Sequence, residues 1–252
     1  MKLALVTGGL RRLGGVIAAR LAEDGWSLAL HCHRETVPDA DLALALAAHG
    51  TVWHSFMAEL GDGAAVEKLI PAVTAHFGRV PDLVVNSASR FMHDDWTSVT
   101  PESLSVHHSV NTAAPVLIAA SLARTLPTDG LACVINILDQ RIRQPNGDHL
   151  SYLLAKQGLA AATDTMARAL APRIRVNAVA PGLTIPTEDY LPAQIVRLAN
   201  AMPLELLPEP EDIADAVLWL ACARATTGQT IFVDGGAHMK SFERDFEFLE
   251  RD

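Results

Sequence analysis

The segment LALVTGGLRRLG, residues 3–14, is the clearest indication of the fold that we expect for this chain. Residues 3–7 are an apolar run of strand length, a glycine-containing turn follows, and residues 13–24 have the apolar spacing of an amphipathic helix. A strand that passes through such a turn into a helix presents backbone N–H groups to a phosphate. The segment therefore predicts the first strand and helix of a nucleotide-binding α/β sheet.

Strand and helix patterns alternate along the rest of the chain. Strands are predicted at residues 3–7, 27–31, 51–56, 82–86, 131–138, 173–178 and 229–233, and helices at 13–24, 39–49, 64–77, 101–125, 151–171 and 211–223. This alternation predicts βαβ crossovers, and hence a Rossmann-type doubly wound parallel sheet of about seven strands with helices on both faces. We expect one α/β domain over residues 1–252, with a substrate-lid insert at 184–208 and a charged tail at 238–252.

The composition of the chain limits the kinds of partner that we expect it to bind. A net charge of −9 over 252 residues argues against a surface for nucleic acid or anionic membrane. The apolar start runs directly into the first strand and turn, unlike a signal peptide, and no apolar run reaches transmembrane length. Cys32, Cys133 and Cys222 lie far apart in apolar segments, which predicts buried free thiols in a reducing compartment. We expect a cytoplasmic protein that acts on a small molecule.

Tyr152 and Lys156 are four residues apart on a predicted helix and therefore share a face. A lysine cation near a tyrosine hydroxyl favours tyrosinate and is expected to lower the phenol pKa toward the range of acid–base catalysis. Asp139 lies thirteen residues before Tyr152, at the end of a predicted strand. An ionised Asp139 would have the opposite effect on the tyrosine, so it must be offset by Lys156, share a proton with Tyr152, or accept hydrogen bonds from a substrate.

The second predicted strand ends in His31-Cys32-His33-Arg34-Glu35. An NAD enzyme normally has an acid at the end of this strand to bind the ribose hydroxyls. His33 and Arg34 suit a 2′-phosphate instead, so the sequence predicts NADPH, although Glu35 is unfavourable beside a phosphate. We weighed a metal site for the His-Cys-His run and expect none, because alternate strand residues face opposite ways.

These residues resemble the short-chain dehydrogenase/reductase superfamily along nearly the whole chain. The motifs are the Tyr-x-x-x-Lys pair, the turn from Gly8 to Gly14, Glu59-Leu60, Asn86-Ser87-Ala88-Ser89, Asn111 and Pro181-Gly182-Leu183-Thr184. Arg12 replaces the middle glycine of the superfamily turn, and Asp139 stands where a serine is usual. The resemblance implies a catalytic set of Asp139, Tyr152, Lys156 and Asn111. It implies cofactor contacts from Gly8, Arg11, Arg12, Leu13, His33, Arg34, Glu59, Leu60, Asn86, Ser87, Ala88, Tyr152, Lys156, Pro181, Gly182, Leu183 and Thr184.

Within that superfamily the chain resembles pteridine reductases and the related dihydromonapterin and dihydrofolate reductases. The matching segments are residues 11–14, 30–34 and 86–91, together with Asp139 and its Tyr-Lys pair, while Ser87, Glu35 and Arg90 depart from the pattern. The resemblance implies hydride reduction of a dihydropterin or dihydrofolate C=N bond with a Tyr/Asp proton relay, and a homotetramer. It implies substrate contacts from Arg12, Ser89, Phe91, Asp139, Tyr152 and Tyr190, with no metal.

Two other functions stay open. A general NADPH-dependent carbonyl reductase would use Asp139 in place of serine, and a non-catalytic NADPH-binding protein would leave Asn111, Tyr152 and Lys156 without a role. In the tail, Phe242, Phe246 and Leu249 have helical spacing. They are expected either to dock on a neighbouring subunit or to form a poorly ordered end.

Overall fold

The computed structural model describes residues 2–34, 36–188 and 190–250. Seven parallel strands form one sheet in the order β3-β2-β1-β4-β5-β6-β7. They are β1 (Leu3–Thr7), β2 (Ser27–Cys32), β3 (Trp53–Met57), β4 (Leu83–Asn86), β5 (Ala132–Ile137), β6 (Ile174–Pro181) and β7 (Thr230–Val233). The order reverses between β1 and β4, which opens a crevice at the carboxyl ends of those strands. The predicted doubly wound parallel sheet is confirmed.

Helices cover both faces of the sheet. They are α1 (Arg12–Glu23), α2 (Ala40–Ala48), α3 (Gly63–Phe77), α4 (Pro101–His108), α5 (Ala114–Thr125), α6 (Leu150–Ala169), α7 (Pro192–Ala201) and α8 (Pro210–Cys222). On one face, Leu21 of α1 and Val217 of α8 are buried in the same apolar cluster. On the other face, Ile70 of α3 and Leu122 of α5 are buried in a second cluster. Leu3, Leu5 and Val6 of β1 are fully buried, as expected for a strand covered on both sides.

The predicted single helix over residues 101–125 is wrong in its middle. The chain forms α4, then a π-helical turn at Ser109–Ala113, and then α5. Pro115 has no N–H, so it cannot complete an α-helical hydrogen bond to the carbonyl of Asn111. The backbone widens into the π turn at that point. Asn111 therefore lies on a local irregularity and not on a regular helix.

The predicted insert at 184–208 contains a regular element, α7, whose N-terminus begins at Pro192. The last described residues of the chain, 241–250, form a segment that we call the C-terminal strap. Within the strap only Phe246–Phe248 is helical, as a single 3-10 turn. Phe242, Phe246 and Leu249 do join one apolar cluster, but the expected helical face is wrong, since they meet through loop conformation.

Cys32 and Cys133 are buried free thiols, as predicted. Burial raises the pKa of the Cys133 thiol to about 11. Cys222 is exposed at the last residue of α8, so its predicted burial is wrong. No helix among residues 2–34, 36–188 and 190–250 is both long and apolar enough to cross a membrane.

Candidate active site

A cleft of about 920 Å³ lies at the carboxyl ends of the central strands. This volume falls within the range of pockets that hold drug-sized ligands and cofactors. Most of the predicted site residues line it, namely Gly8, Arg11, Arg12, Leu13, His33, Glu59, Leu60, Ser87, Ala88, Ser89, Phe91, Asp139, Tyr152, Lys156, Pro181, Gly182, Leu183, Thr184 and Tyr190. Arg34 and Asn86, which were predicted to contact the cofactor, lie outside the described lining, and so does Asn111 of the predicted catalytic set.

The turn between β1 and α1 forms one end of the cleft. Gly8 has a φ of +63°, and a Cβ on Gly14 would lie 2.2 Å from the carbonyl oxygen of Gly8, so both positions require glycine. Arg12 has a φ of +52°, an unfavourable value for a residue with a Cβ. The left-handed backbone is thus present at the position where the superfamily pattern has its middle glycine, but here an exposed arginine occupies it.

His31 ties this turn to the rest of the sheet. Its Nδ1 accepts a hydrogen bond from the Gly8 N–H at 3.2 Å, and its Nε2 lies 3.1 Å from the carbonyl oxygen of Ala58. Because Nδ1 must be unprotonated to accept from Gly8, the second contact fixes the neutral Nε2–H tautomer. Burial lowers the pKa of His31, which agrees with a neutral ring.

At the end of β2, one of the two residues predicted to bind a 2′-phosphate lines the cleft and the other does not. His33 lines the cleft and pairs with Glu59, with 2.6 Å between Nε2 and Oε2. Arg34 is exposed and lies outside the lining, while the predicted unfavourable effect of Glu35 falls outside the described residues. The backbone N–H of Gly61 is the largest cause that lowers the pKa of Glu59, and His33 adds to it.

The reactive end of the cleft is built on Asp139, at the carboxyl end of β5. The Tyr152 hydroxyl donates to Asp139 Oδ2 at 3.0 Å. Arg141 donates to the same carboxylate from Nε at 3.2 Å and from Nη2 at 3.1 Å, and its backbone N–H donates at 2.8 Å. The Lys156 Nζ donates to the carbonyl oxygen of Ile137 at 2.7 Å and lies 5.6 Å from the centre of the Tyr152 ring.

These contacts give Tyr152 a pKa that differs from the one expected from the sequence. Burial and then the Asp139 carboxylate raise the pKa of Tyr152 well above its ordinary value, so the expected lowering by Lys156 is wrong. Burial lowers the pKa of Lys156 to about 8. Burial would also raise the pKa of Asp139, but the Arg141 guanidinium and its hydrogen bonds outweigh it and leave that pKa below its usual value. Asp139 is therefore offset chiefly by Arg141, which sequence reasoning missed.

The two predicted asparagines have structural contacts. The Asn86 side-chain amide donates to Asn136 Oδ1 at 2.8 Å. The Asn111 side chain accepts from the Arg90 N–H at 2.7 Å and donates to the Arg90 carbonyl oxygen at 2.8 Å. Asn111 thus fixes the loop that carries Phe91, and its place in the catalytic set stays a prediction.

Phe91 lies between α6 and the open cleft. Its ring stacks on His149 with 4.3 Å between centroids and meets the Tyr152 ring edge-on at 4.8 Å. The Phe91 side chain is still half exposed, so one face remains available to a flat ligand. His149 is buried in a left-handed conformation with a φ of +51° immediately before α6.

The C-terminal strap closes the cleft within its own chain. Asp245, Phe246 and Glu247 line the cleft beside Tyr190, which the sequence had placed in the lid. Arg141 Nη1 donates to Asp245 Oδ2, so this arginine bridges Asp139 and the strap. Neither expectation for the tail included such a contact. The only signal in the sequence was a short acidic and aromatic run, Asp245–Phe248, which suggests no particular partner.

His149, Asp245 and Glu247 could together hold a metal ion, since one donor atom from each lies within 4.8 Å of the others. Asp245, however, already accepts from Arg141 and from the Glu247 N–H. His149 Nε2 and Glu247 Oε2 lie 3.3 Å apart. A guanidinium beside the shared carboxylate opposes a cation, so we treat these three residues as part of the strap contact.

The residues at the glycine-turn end fit a nicotinamide dinucleotide. Gly8 allows the backbone to approach a pyrophosphate closely at the start of α1. Arg11, Arg12 and Arg90 line the cleft of a chain whose net charge is −9, so the positive side chains collect where phosphates would lie. Thr7 fixes the facing loop, because its hydroxyl accepts from the N–H groups of Ser87 and Ala88, both at 3.0 Å.

Known proteins resemble this chain along nearly its whole length. A family model described as enoyl-(acyl carrier protein) reductase matches residues 9–238. Granaticin polyketide synthase putative ketoacyl reductase 2 of Streptomyces violaceoruber is 31% identical over 94% of this chain and 96% of its own length. The 3-oxoacyl-[acyl-carrier-protein] reductase FabG of Staphylococcus epidermidis is 31% identical over 94% of this chain and 99% of its own length. Among solved structures, FolM alternative dihydrofolate reductase 1 of Brucella suis in complex with NADP is 34% identical, with a TM-score of 0.83, over 97% of this chain and 98% of that chain.

Proposed function

The chain belongs to the short-chain dehydrogenase/reductase superfamily, and from that premise we propose that it reduces the C=N bond of a dihydropterin or dihydrofolate with NADPH. One observation carries this proposal. Asp139 occupies the position where a serine is usual, Arg141 holds it from three N–H groups, and it accepts the Tyr152 hydroxyl at 3.0 Å.

An ionised carboxylate can only accept hydrogen bonds, whereas a serine hydroxyl can also donate. Reduction of a ketone builds negative charge on the carbonyl oxygen, and a fixed anion at Asp139 would oppose it. A dihydropterin carries N–H donors on its fused ring system. A carboxylate acceptor therefore suits the dihydropterin better than it suits a ketone.

The shape of the site supports the same substrate class. Phe91 offers an exposed ring face to the cleft, and its other contacts are the stacked ring of His149 and the edge of Tyr152. Aromatic surfaces of this kind bind flat heterocycles through stacking. We propose that Phe91 forms one wall of the pterin site, and that Ser89, Arg12 and Tyr190 contact the rest of the ligand.

The cofactor that we propose is NADPH, as NADP in the Brucella suis relative suggests. When bound it would supply a hydride to the ring carbon of the C=N bond. The turn from Gly8 to Leu13 would hold the pyrophosphate, and His33 with Arg34 would hold the 2′-phosphate. Lys156 would hold the nicotinamide ribose, and the loop 181–184 would lie beside the ring.

The proton in this reaction would come from Tyr152. Its O–H bond breaks as an N–H bond forms at the imine nitrogen, and the Asp139 carboxylate orients the hydroxyl before transfer. Lys156, whose burial lowers its pKa to about 8, can exchange a proton near neutral pH and restore the hydroxyl. The raised pKa of Tyr152 keeps the hydroxyl protonated until substrate arrives.

A general carbonyl reductase is the second candidate, because the Streptomyces and Staphylococcus relatives are described as ketoacyl or oxoacyl reductases. The decisive experiment is NADPH oxidation by the purified protein with dihydrobiopterin, dihydromonapterin and dihydrofolate, beside ketones and an oxoacyl thioester. Turnover of dihydropterins or dihydrofolate supports the proposal. Turnover of the carbonyl compounds alone contradicts it.

Variants of the reactive pair separate chemistry from binding. Asp139→Ala and Tyr152→Phe should each lower kcat for the dihydropterin by on the order of a hundredfold or more while NADPH binding is kept. Asp139→Ser is the sharper test, since it restores the usual superfamily residue. It should lose dihydropterin reduction and favour ketones, and full dihydropterin activity in Asp139→Ser would end the argument from the carboxylate.

A further inference from the structure

We propose that the C-terminal strap is part of the catalytic apparatus: Asp245 positions Arg141, and Arg141 holds Asp139 as the acceptor of the Tyr152 hydroxyl. Arg141 and Asp245 are positioning residues in this scheme, because neither is required to touch the substrate. The inference rests on the proposed reductase function through the Tyr152–Asp139 pair, but not on which substrate is reduced.

The geometry of Arg141 carries the first step. Its side chain is buried, with only 7% of it exposed, and its guanidinium forks between two carboxylates. Nε and Nη2 point to Asp139, while Nη1 points to Asp245 of the strap. The same guanidinium lies over the Tyr152 ring, with its central carbon 5.5 Å from the ring centre. A planar cation with several fixed N–H donors can join both acids at once, which a lysine could not do with the same geometry.

The strap is fastened to the enzyme at two places, so Asp245 is held at a defined position. Asp148 accepts from the Asp245 N–H at 2.7 Å and from Arg244 Nε at 2.9 Å. Gln194 of α7 is fully buried and donates to the carbonyl oxygens of Phe246, Glu247 and Leu249 at 3.0, 3.2 and 2.6 Å. Phe246 is buried in the apolar cluster that includes Leu198 of α7.

The charges around Asp139 show why the second acid matters. Arg141 approaches Asp139 from the turn that follows β5, Tyr152 and Lys156 face it from α6, Tyr190 lies in the lid, and Asp245 lies in the strap. A donor atom of His149 lies within 4.8 Å of the Asp245 carboxylate, and the Glu247 N–H donates to Asp245 Oδ1 at 2.9 Å. Without Asp245, Arg141 would be a buried cation with a single partner, free to turn away from Asp139. With it, both ends of the guanidinium are held.

The test compares charge-removing variants with exposed controls of the same type. Arg141→Met and Asp245→Asn remove one charge each from the bridge. Arg143→Met and Glu243→Gln remove the same charges from exposed side chains two residues away. The direct measurement is a carbon-13 NMR titration of aspartate carboxyl groups, in which the Asp139 signal is the one lost in Asp139→Asn.

Removal of the Arg141 cation should raise the titration midpoint of Asp139 by about 1–3 units, the usual effect of losing an adjacent opposite charge. Asp245→Asn should raise it by a smaller amount, because Arg141 is then free to move away. The two exposed controls should leave it unchanged. If Arg141→Met fails to fold, Asp245→Asn and Arg141→Lys decide the matter in the same titration, and Arg141→Lys should also raise the midpoint because one ammonium cannot hold both acids.

The kinetic readout uses whichever substrate is turned over. An upward shift for Asp139 should move the acid limb of the kcat profile to higher pH, because the ionised form is then lost at higher pH. The Km for NADPH should not change. An unshifted Asp139 signal in either bridge variant would overturn the proposal, and so would a downward shift in Asp245→Asn, since Asp245 would then act only through its own charge. A protein that turns over no substrate would refute the proposed function, while the NMR titration would still decide the role of the strap.

Discussion

At the scale of single residues, Arg12 combines an unfavourable backbone with an exposed cation. A left-handed φ costs a residue with a Cβ about 1 kcal/mol, and glycine would avoid this cost. Strain of this kind is found where the side chain has a use, and Arg12 lines the cleft beside the glycine turn. The side chain is therefore expected to bind an anionic or planar ligand.

Two substitutions at this position separate strain from charge. Arg12→Gly and Arg12→Ala should weaken NADPH binding to a similar extent, because both remove the cation. Arg12→Gly should have the higher thermal midpoint of the two, although the freedom of glycine in the unfolded chain offsets part of the gain. Fluorescence titration with NADPH and thermal unfolding measure these effects. Wild-type affinity in Arg12→Ala would contradict a ligand contact.

Arg34 gives a second prediction at this scale. It is exposed and lies outside the described cleft lining, so its side chain would have to turn toward the cleft to reach a 2′-phosphate. Arg34→Asp should lower the NADPH to NADH ratio of kcat/KM by on the order of tenfold, since a charge-assisted contact becomes a repulsion. Arg224→Asp, at an exposed site after α8, is the matched control. An unchanged ratio in Arg34→Asp would remove this residue from the cofactor site.

At the scale of elements, the helices and strands that were predicted correctly depend on patterns among residues that lie close together in the sequence. The apolar run at residues 3–7 and the helical spacing of residues 64–77 need only local patterns, and both elements formed within one or two residues of their predicted bounds. The π turn at Ser109–Ala113 was missed, because an apolar helix pattern continues through it. Pro115 was the available signal, since its missing N–H prevents a regular turn.

The strap shows why the rest of the site could not be predicted. Arg141 and Asp245 are 104 residues apart, and no periodicity or spacing relates them. The pairing depends on how α7 and the loop before α6 hold the strap. Their positions are set by the packing of the whole fold. Asp139, Tyr152 and Lys156 were predictable because strand end and helix face bring them together in one local unit.

The attachment of the strap through α7 leads to a prediction for Gln194. Gln194→Ala removes three hydrogen bonds that tie strap carbonyl groups to α7. Trypsin should then cleave after Arg244 faster by on the order of tenfold, the factor that corresponds to about 1.4 kcal/mol. Mass spectrometry of the released peptide gives the rate. Asn200→Ala, on the exposed face of the same helix, should match wild type, and equal rates in all three proteins would show that Gln194 does not hold the strap.

At the scale of the whole molecule, the sheet brings four parts of the site to one edge. The turn after β1, the loop after β4, Asp139 after β5 and the Pro-Gly loop at the end of β6 all lie at strand carboxyl ends. Parallel strands make this convergence a property of the topology. Three expectations stay predictions, namely the single domain, the homotetramer and the cytoplasmic location. Gel filtration of the purified protein tests the homotetramer.

Burial lowers the pKa of two histidines, which makes global stability depend on pH. Burial lowers the pKa of both His31 and His149 from the ordinary value of about 6.5. As the pH falls below that value, the unfolded chain takes up protons that the folded protein does not, so the free energy of unfolding decreases. The stability is present above about pH 6.5 and is lost as the pH falls toward the lowered values.

Urea unfolding at pH 7.5 and pH 5.5 measures this loss, and two asparagine variants assign it. His149→Asn should show a smaller decrease than wild type, because one of the two rings with a lowered pKa is gone and asparagine tolerates the left-handed backbone at this position. His108→Asn, which replaces an exposed histidine of α4, should decrease as much as wild type. Carboxylates with lowered pKa values contribute only at lower pH, so they do not obscure the comparison. An identical decrease in wild type and His149→Asn would mean that His149 takes up a proton in the folded protein, and that its contact with Glu247 is an ion pair at pH 5.5.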